Sequence, residues 1–102
     1  MSKVIYKYVV NSQQKVITIP FRAQVLTVDY DGNNDLCLWA MHELEDEKDR
    51  FVKYEVLVLG TGEQTDEPMN EFDDGSDRFG YMKTIVTESG FVWHIFIRQV
   101  YE

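Results

Sequence analysis

The residues of this 102-residue chain that could do chemistry are few: two histidines, one cysteine and eighteen carboxylates. His42-Glu43-Leu44-Glu45-Asp46 begins like a zinc-protease helix. That helix needs a second His four residues on, so that two imidazoles share one face. Position 46 is Asp, so the motif fails and no metal site is expected. Asp29, Asp31, Asn33 and Asp35 place oxygens at alternate positions around Gly32. Calcium loops use such oxygens, but this spacing does not match the EF-hand loop, and a plain turn demands the same residue types. Gly60-Thr61-Gly62 follows a strand-like run, as phosphate-cradling loops do. The third Gly and the following helix of a dinucleotide site are missing, and so is the P-loop Lys.

Nucleophilic chemistry would need Cys37 with His42 or His94. In a strand, Cys37 and His42 differ by five positions and so point to opposite faces. His94 lies between Val92 and Phe96 on one face of a final strand. A lone His there is expected to be a satisfied structural residue, and Cys37 a small buried hydrophobe. Paired carboxylates abound, yet glycosidase work needs two held rigidly with one pKa raised, which solvated loops do not provide. No nucleophile–base pair or ligand set survives these checks, so the chain is expected to be non-catalytic, with no cofactor.

The elements that must carry these residues follow an apolar period of two, which argues strands. Strands are expected over Lys3 to Val10, Lys15 to Ile19, Ala23 to Tyr30, Asp35 to His42, Phe51 to Leu59, Gly80 to Thr87 and Phe91 to Arg98. Pro20 should end the second strand or lie on an edge, because it cannot donate to a ladder. Asp31-Gly32-Asn33-Asn34 should turn the third strand into the fourth as a hairpin. Residues 43–50 read as a charged connection with room for a short helical turn. Residues 63–79, holding Pro68, Gly75 and seven acids, read as a long acidic loop insertion. The expected fold is all-β and mainly antiparallel. It would be one domain over residues 1–102, a small sandwich or partly open barrel of six to eight strands.

At 44% apolar and 14% aromatic residues the composition is that of a folded chain. The formal net charge of −8 disfavours direct nucleic-acid or anionic-membrane partners, which need clustered Lys and Arg. One cysteine excludes an internal disulfide framework. Lys7 interrupts any signal-peptide core, and no run approaches the roughly 20 apolar residues of a membrane span, so a cytoplasmic location is expected. The charge is uneven. Residues 43–78 hold 13 acids and 4 bases, a net of −9, and the other residues hold 5 acids and 6 bases, a net of +1. If the fifth and sixth strands are neighbours, the two acidic loops lie at opposite ends of the fifth strand. They would then be roughly 25 to 30 Å apart, unless the long loop folds back.

Three function classes follow. The first is a binding protein whose acidic patch meets a basic surface on another protein, standing in for nucleic-acid phosphates. That patch comprises Glu43, Glu45, Asp46, Glu47, Asp49, Asp66, Glu67, Glu71, Asp73, Asp74 and Asp77. The second is a small-ligand or nucleotide binder with a pocket of Trp39, Thr61, Trp93 and His94. The third is a structural protein forming a homo-oligomer. It is suggested by apolar residues on both faces of the first and last strands.

The chain also resembles a family of small bacteriophage β proteins. The shared pattern reads here as Lys3-Val4-Ile5-Tyr6-Lys7-Tyr8, Ile17-Thr18-Ile19-Pro20 with Ala23 and Val25-Leu26, and Leu36-Cys37-Leu38-Trp39-Ala40. It continues as Leu57-Val58-Leu59-Gly60-Thr61-Gly62 and closes as Gly90-Phe91-Val92-Trp93-His94-Ile95-Phe96. Glu63 follows Gly-Thr-Gly where the family commonly has His, and the acidic segment 63–79 is unusual for it. The resemblance implies a phage origin and one domain, and it implies no activity. For a phage-encoded chain the expected location is the host-cell cytoplasm, the partner of the first function class is a host protein, and the third class is a virion-associated protein.

Overall fold

The computed structural model describes residues 2–10, 14–45, 50–70 and 78–100. Eight strands follow in chain order: β1 Lys3–Val9, β2 Gln14–Pro20, β3 Gln24–Tyr30, β4 Leu36–Glu43, β5 Phe51–Gly60, β6 Met69–Asn70, β7 Phe79–Val86 and β8 Val92–Val100. Seven are long and match the seven expected from the alternation. The eighth, β6, is a two-residue parallel bridge to β7 inside the segment read as a loop. One sheet has the order β1-β4-β3, the other β2-β5-β8-β7-β6. The long strands all pair antiparallel, and the sheets do not close into a barrel. The architecture is consistent with a small sandwich.

The core lies between the sheets. Val28, Leu38 and Ala40 from the smaller sheet meet Ile17, Ile19, Val56, Val58, Ile85, Ile95 and Ile97 from the larger. These are alternate residues of their strands, as a face buried on one side requires. The expected hairpin joins β3 to β4, with Tyr30 opposite Leu36. Asn34 takes the left-handed conformation in its turn, φ 64°, because an Asn side chain tolerates it. Pro20 ends β2, and β2 is an edge strand, as its missing N–H dictates. Leu44 and Glu45 begin a tight helical turn after β4.

The larger sheet has a second apolar layer on its outer face. Leu57, Leu59 and Phe79 are buried there, with Met69 and Phe96 packed against them. The chain leaving β5 crosses this face as a strap over residues 61–70. It ends where the Phe79 N–H donates to the Pro68 carbonyl at 2.8 Å. The condition that the fifth and sixth long strands be neighbours is not met, because β8 lies between β5 and β7. A β5–β7 pair would be parallel and would need a crossover, whereas β8 can pair antiparallel with both.

Candidate functional site

Glu43 and Glu45 lie at one end of the smaller sheet. With Lys3, Arg22 and the buried His42 they line a cavity of about 370 Å³. The His42 ring packs against Tyr6 with centroids 5.2 Å apart. Asp66 is exposed on the strap. Asp46, Glu47, Asp49, Glu71, Asp73, Asp74 and Asp77 lie outside the described residues.

Glu67 has a partner within the fold. Arg98 projects from the outer face of β8 and holds three groups. Its Nε and Nη2 bond Oε1 of Glu55 at 2.9 and 2.7 Å. Its Nη1 is 3.9 Å from Glu67. Its guanidinium lies 4.2 Å from the centre of the Phe79 ring. Glu55 and Arg98 are direct cross-strand partners, so the pair ties β5 to β8 while Glu67 adds the strap. Glu63 anchors the strap's start by accepting the Gly60 N–H at 2.8 Å. Sequence reasoning missed this cluster. Its only signal was an acid, Glu55, and a base, Arg98, each next to an apolar residue of a core strand.

The four residues proposed for a small-ligand pocket are not gathered into one. Thr61 and His94 meet, with Oγ1 2.8 Å from Nε2. On the other side of the ring, Thr84 Oγ1 is 3.1 Å from Nδ1, and the Tyr81 hydroxyl is 2.6 Å from Thr84. This polar row runs along the outer face of the larger sheet. Its Thr61–His94 pair has the reach of a nucleophile and its base. The group on Nδ1 is a hydroxyl, however, so no carboxylate there stabilises an imidazolium as in a triad. Trp93 neighbours His94 on β8 and so points to the opposite, core side, where it packs against the core. Trp39 belongs to the other sheet, alternating with the core residues Leu38 and Ala40 and so on its outer face.

The Asp-rich turn spends its oxygens on donors of its own. Asp31 Oδ1 accepts the N–H groups of Asn33 and Asp35 at 2.8 and 2.9 Å, and Lys7 donates to its Oδ2 at 2.9 Å. These donors hold its carboxyl well below the usual carboxylate range. Asp29 is ion-paired with Lys83 across the two sheets and accepts the Tyr30 N–H at 2.7 Å, and its pKa is lowered chiefly by Lys83. Cys37 is fully buried. Burial first, then the Asp31 carboxylate, pushes its thiol pKa up. Among the described residues no cluster of three or more His, Cys, Asp or Glu could hold a metal ion.

A further cleft opens where the β3–β4 turn meets the β7–β8 hairpin. It measures about 590 Å³ and is lined by Asp29, Tyr30, Asn34, Glu88, Phe91 and Trp93 among others. The Phe91 and Trp93 rings stack at 6.0 Å and 20°. Trp93 lies against Gly60, where an added Cβ would sit 3.3 Å from the ring. The glycine thus gives the indole its seat.

Comparison with known families places the whole chain in one. Residues 1–102 match the family described as Domain of unknown function (DUF7352), and the chain belongs to it. No curated protein and no solved structure matches the chain.

Proposed function

We propose that this member of the DUF7352 family is a non-catalytic phage accessory protein. In the host cytoplasm it binds a host protein with a basic surface, where its acidic segments replace nucleic-acid phosphates. The observation that carries the reading is the charge split, −9 over residues 43–78 against +1 elsewhere. Arg98, beside the strap, bonds Glu55, itself one of those thirteen acids. Complementary charge speeds encounter and suppresses wrong partners. Capture on the tagged protein from host lysate, at low and moderate salt, tests the reading. The expected result is one stoichiometric partner, lost when the acids of 43–49 and 66–77 are replaced by their amides and displaced by added DNA. Absence of such a partner, or a partner that survives the replacement, overturns it.

A second reading, a nucleotide or metabolite binder, is favoured by the Thr84–His94–Thr61 row, which could present an imidazole to a ligand at the Gly-Thr-Gly turn. A thermal-shift panel of nucleotides checks it. Ligand at about 100 times its Kd stabilises by about 2.7 kcal/mol, and no shift with any nucleotide removes this reading.

A further inference from the structure

We infer that the cleft between the β3–β4 turn and the β7–β8 hairpin binds a neutral sugar ring on the Phe91–Trp93 platform. This site is distinct from the acidic segments and from the His94 row, since Trp93 and His94 point to opposite faces of β8.

The platform is the first ground. Phe91 leaves 63% of its surface in water, and Val86 beside it leaves 71%. A phenyl ring this exposed gains little from burial, yet it is held parallel to the Trp93 indole. That indole is fixed by Gly60 behind it and by the core beside it. The hairpin fixes the other end. Thr87 Oγ1 accepts the Phe91 N–H at 3.1 Å and donates to the Phe91 carbonyl, and Gly90 turns with φ 92°. A rigid aromatic surface open to solvent suits the C–H face of a pyranose. Its ring protons carry slight positive charge and meet the negative face of the π system.

The rim is the second ground. Asn34 offers donors and an acceptor, and Glu88 and Asp29 offer acceptors, which together match vicinal hydroxyls. No Lys or Arg lines the cleft, and Lys83 at its margin is paired with Asp29. The charged groups that a phosphorylated or carboxylated ligand would meet in the lining are therefore carboxylates alone. A cation would meet two carboxylates, of which Asp29 is already neutralised by Lys83, leaving Glu88 alone to hold it. An uncharged polyol fits better than either. The volume, about 590 Å³, lies within the range of small-molecule sites and accommodates a disaccharide.

Tryptophan fluorescence tests this directly, because Trp93 and Trp39 are the only two indoles and Trp39 lies on the other sheet. In a W39F background, cellobiose, maltose and N,N′-diacetylchitobiose are titrated separately, with AMP and arginine amide as charged comparators. The expected result is a saturable change in Trp93 emission with at least one disaccharide, at a Kd of about 1 mM. F91A should weaken it about tenfold, the loss of one stacked ring. Because Phe91 is largely exposed, F91A should keep its melting temperature, which shows that the loss is not unfolding. No saturable change with any of the three disaccharides up to about 50 mM, an undiminished response in F91A, or a response confined to AMP or arginine amide overturns the proposal.

Discussion

Asp31 concentrates more of the local structure on one side chain than any other acid in the smaller sheet. It caps the β3–β4 turn through two backbone N–H groups, pairs with Lys7 on β1, and lies 3.6 Å from the Cys37 sulfur. Its pKa is depressed in the fold, so its contribution is present above the unfolded value of about 3.9 and lost as pH falls through the folded value. Lys7 is raised by the same partner, so its half of the pair is present below the unfolded lysine value and lost as pH rises through the folded one. The urea midpoint should therefore fall between pH 5 and pH 3, and D31N should flatten that fall while lowering the midpoint at neutral pH. An unchanged slope in D31N would place the acid sensitivity elsewhere. Cys37 gives a companion test. A thiol that is buried and raised in pKa reacts as thiolate only after opening. Its alkylation in the native protein should be far slower than in urea, and D31A should speed it by uncovering the sulfur.

The strap between β5 and β6 is held to the larger sheet by one polar cluster and one apolar layer. Arg98 is part-buried, so truncating it leaves Glu55 without its charged partner in a place that water reaches poorly. R98M keeps the stem but removes the guanidinium, and should cost about 1–3 kcal/mol in unfolding free energy. It should also raise hydrogen exchange at the Phe79 amide, which bonds Pro68 at the strap's end. E67Q should cost less than about 0.5 kcal/mol, since Glu67 is 3.9 Å from Arg98 and partly exposed. Equal losses in the two variants would mean that the strap, not the Glu55 pair, carries the energy. How far these elements were legible depends on the kind of signal. Seven strands and the Asp31 turn were readable because alternation and turn chemistry are local. The place of β8 between β5 and β7 is a choice among distant partners, and no local pattern encodes it. The strap was masked by its own acids, because Glu63 and Glu67 look like solvated charge until Gly60 and Arg98 are known to face them. The four residues named for a pocket are divided for a related reason. Trp93 and His94 are adjacent in sequence, and in a strand adjacency means opposite faces.

The core ties both sheets into one molecule, and its cost can be read directly. Ile95 is fully buried on β8 among residues of both sheets, so Ile95→Ala should cost about 2–5 kcal/mol in denaturant unfolding. The charge acts at a longer range, and the topology changes what it does. The strap carries the second acidic segment back from the end of β5. Asn70 pairs with Gly80, Gly80 with Ile97, and Ile97 with Val56. Asn70, which precedes 71–77, is thus level with the middle of β5, five residues from Phe51 and three strand spacings across. That is roughly 17 Å along and roughly 14 Å sideways from the chain that follows 46–49, closer than opposite ends of the strand would allow. Two like-charged segments anchored roughly 20 Å apart lie within the Debye length of about 30 Å at 10 mM salt and well outside the 8 Å or so at 150 mM. Their repulsion should therefore lower stability at low salt and be screened at physiological salt. The melting temperature should rise as NaCl goes from about 10 to 150 mM. Replacing Glu43, Glu45, Asp46, Glu47 and Asp49 by their amides should raise the low-salt value and shrink the rise. A melting temperature that ignores salt in the parent protein would mean that the two segments do not act as one field, and the single acidic surface proposed for a basic partner would have to be divided into two.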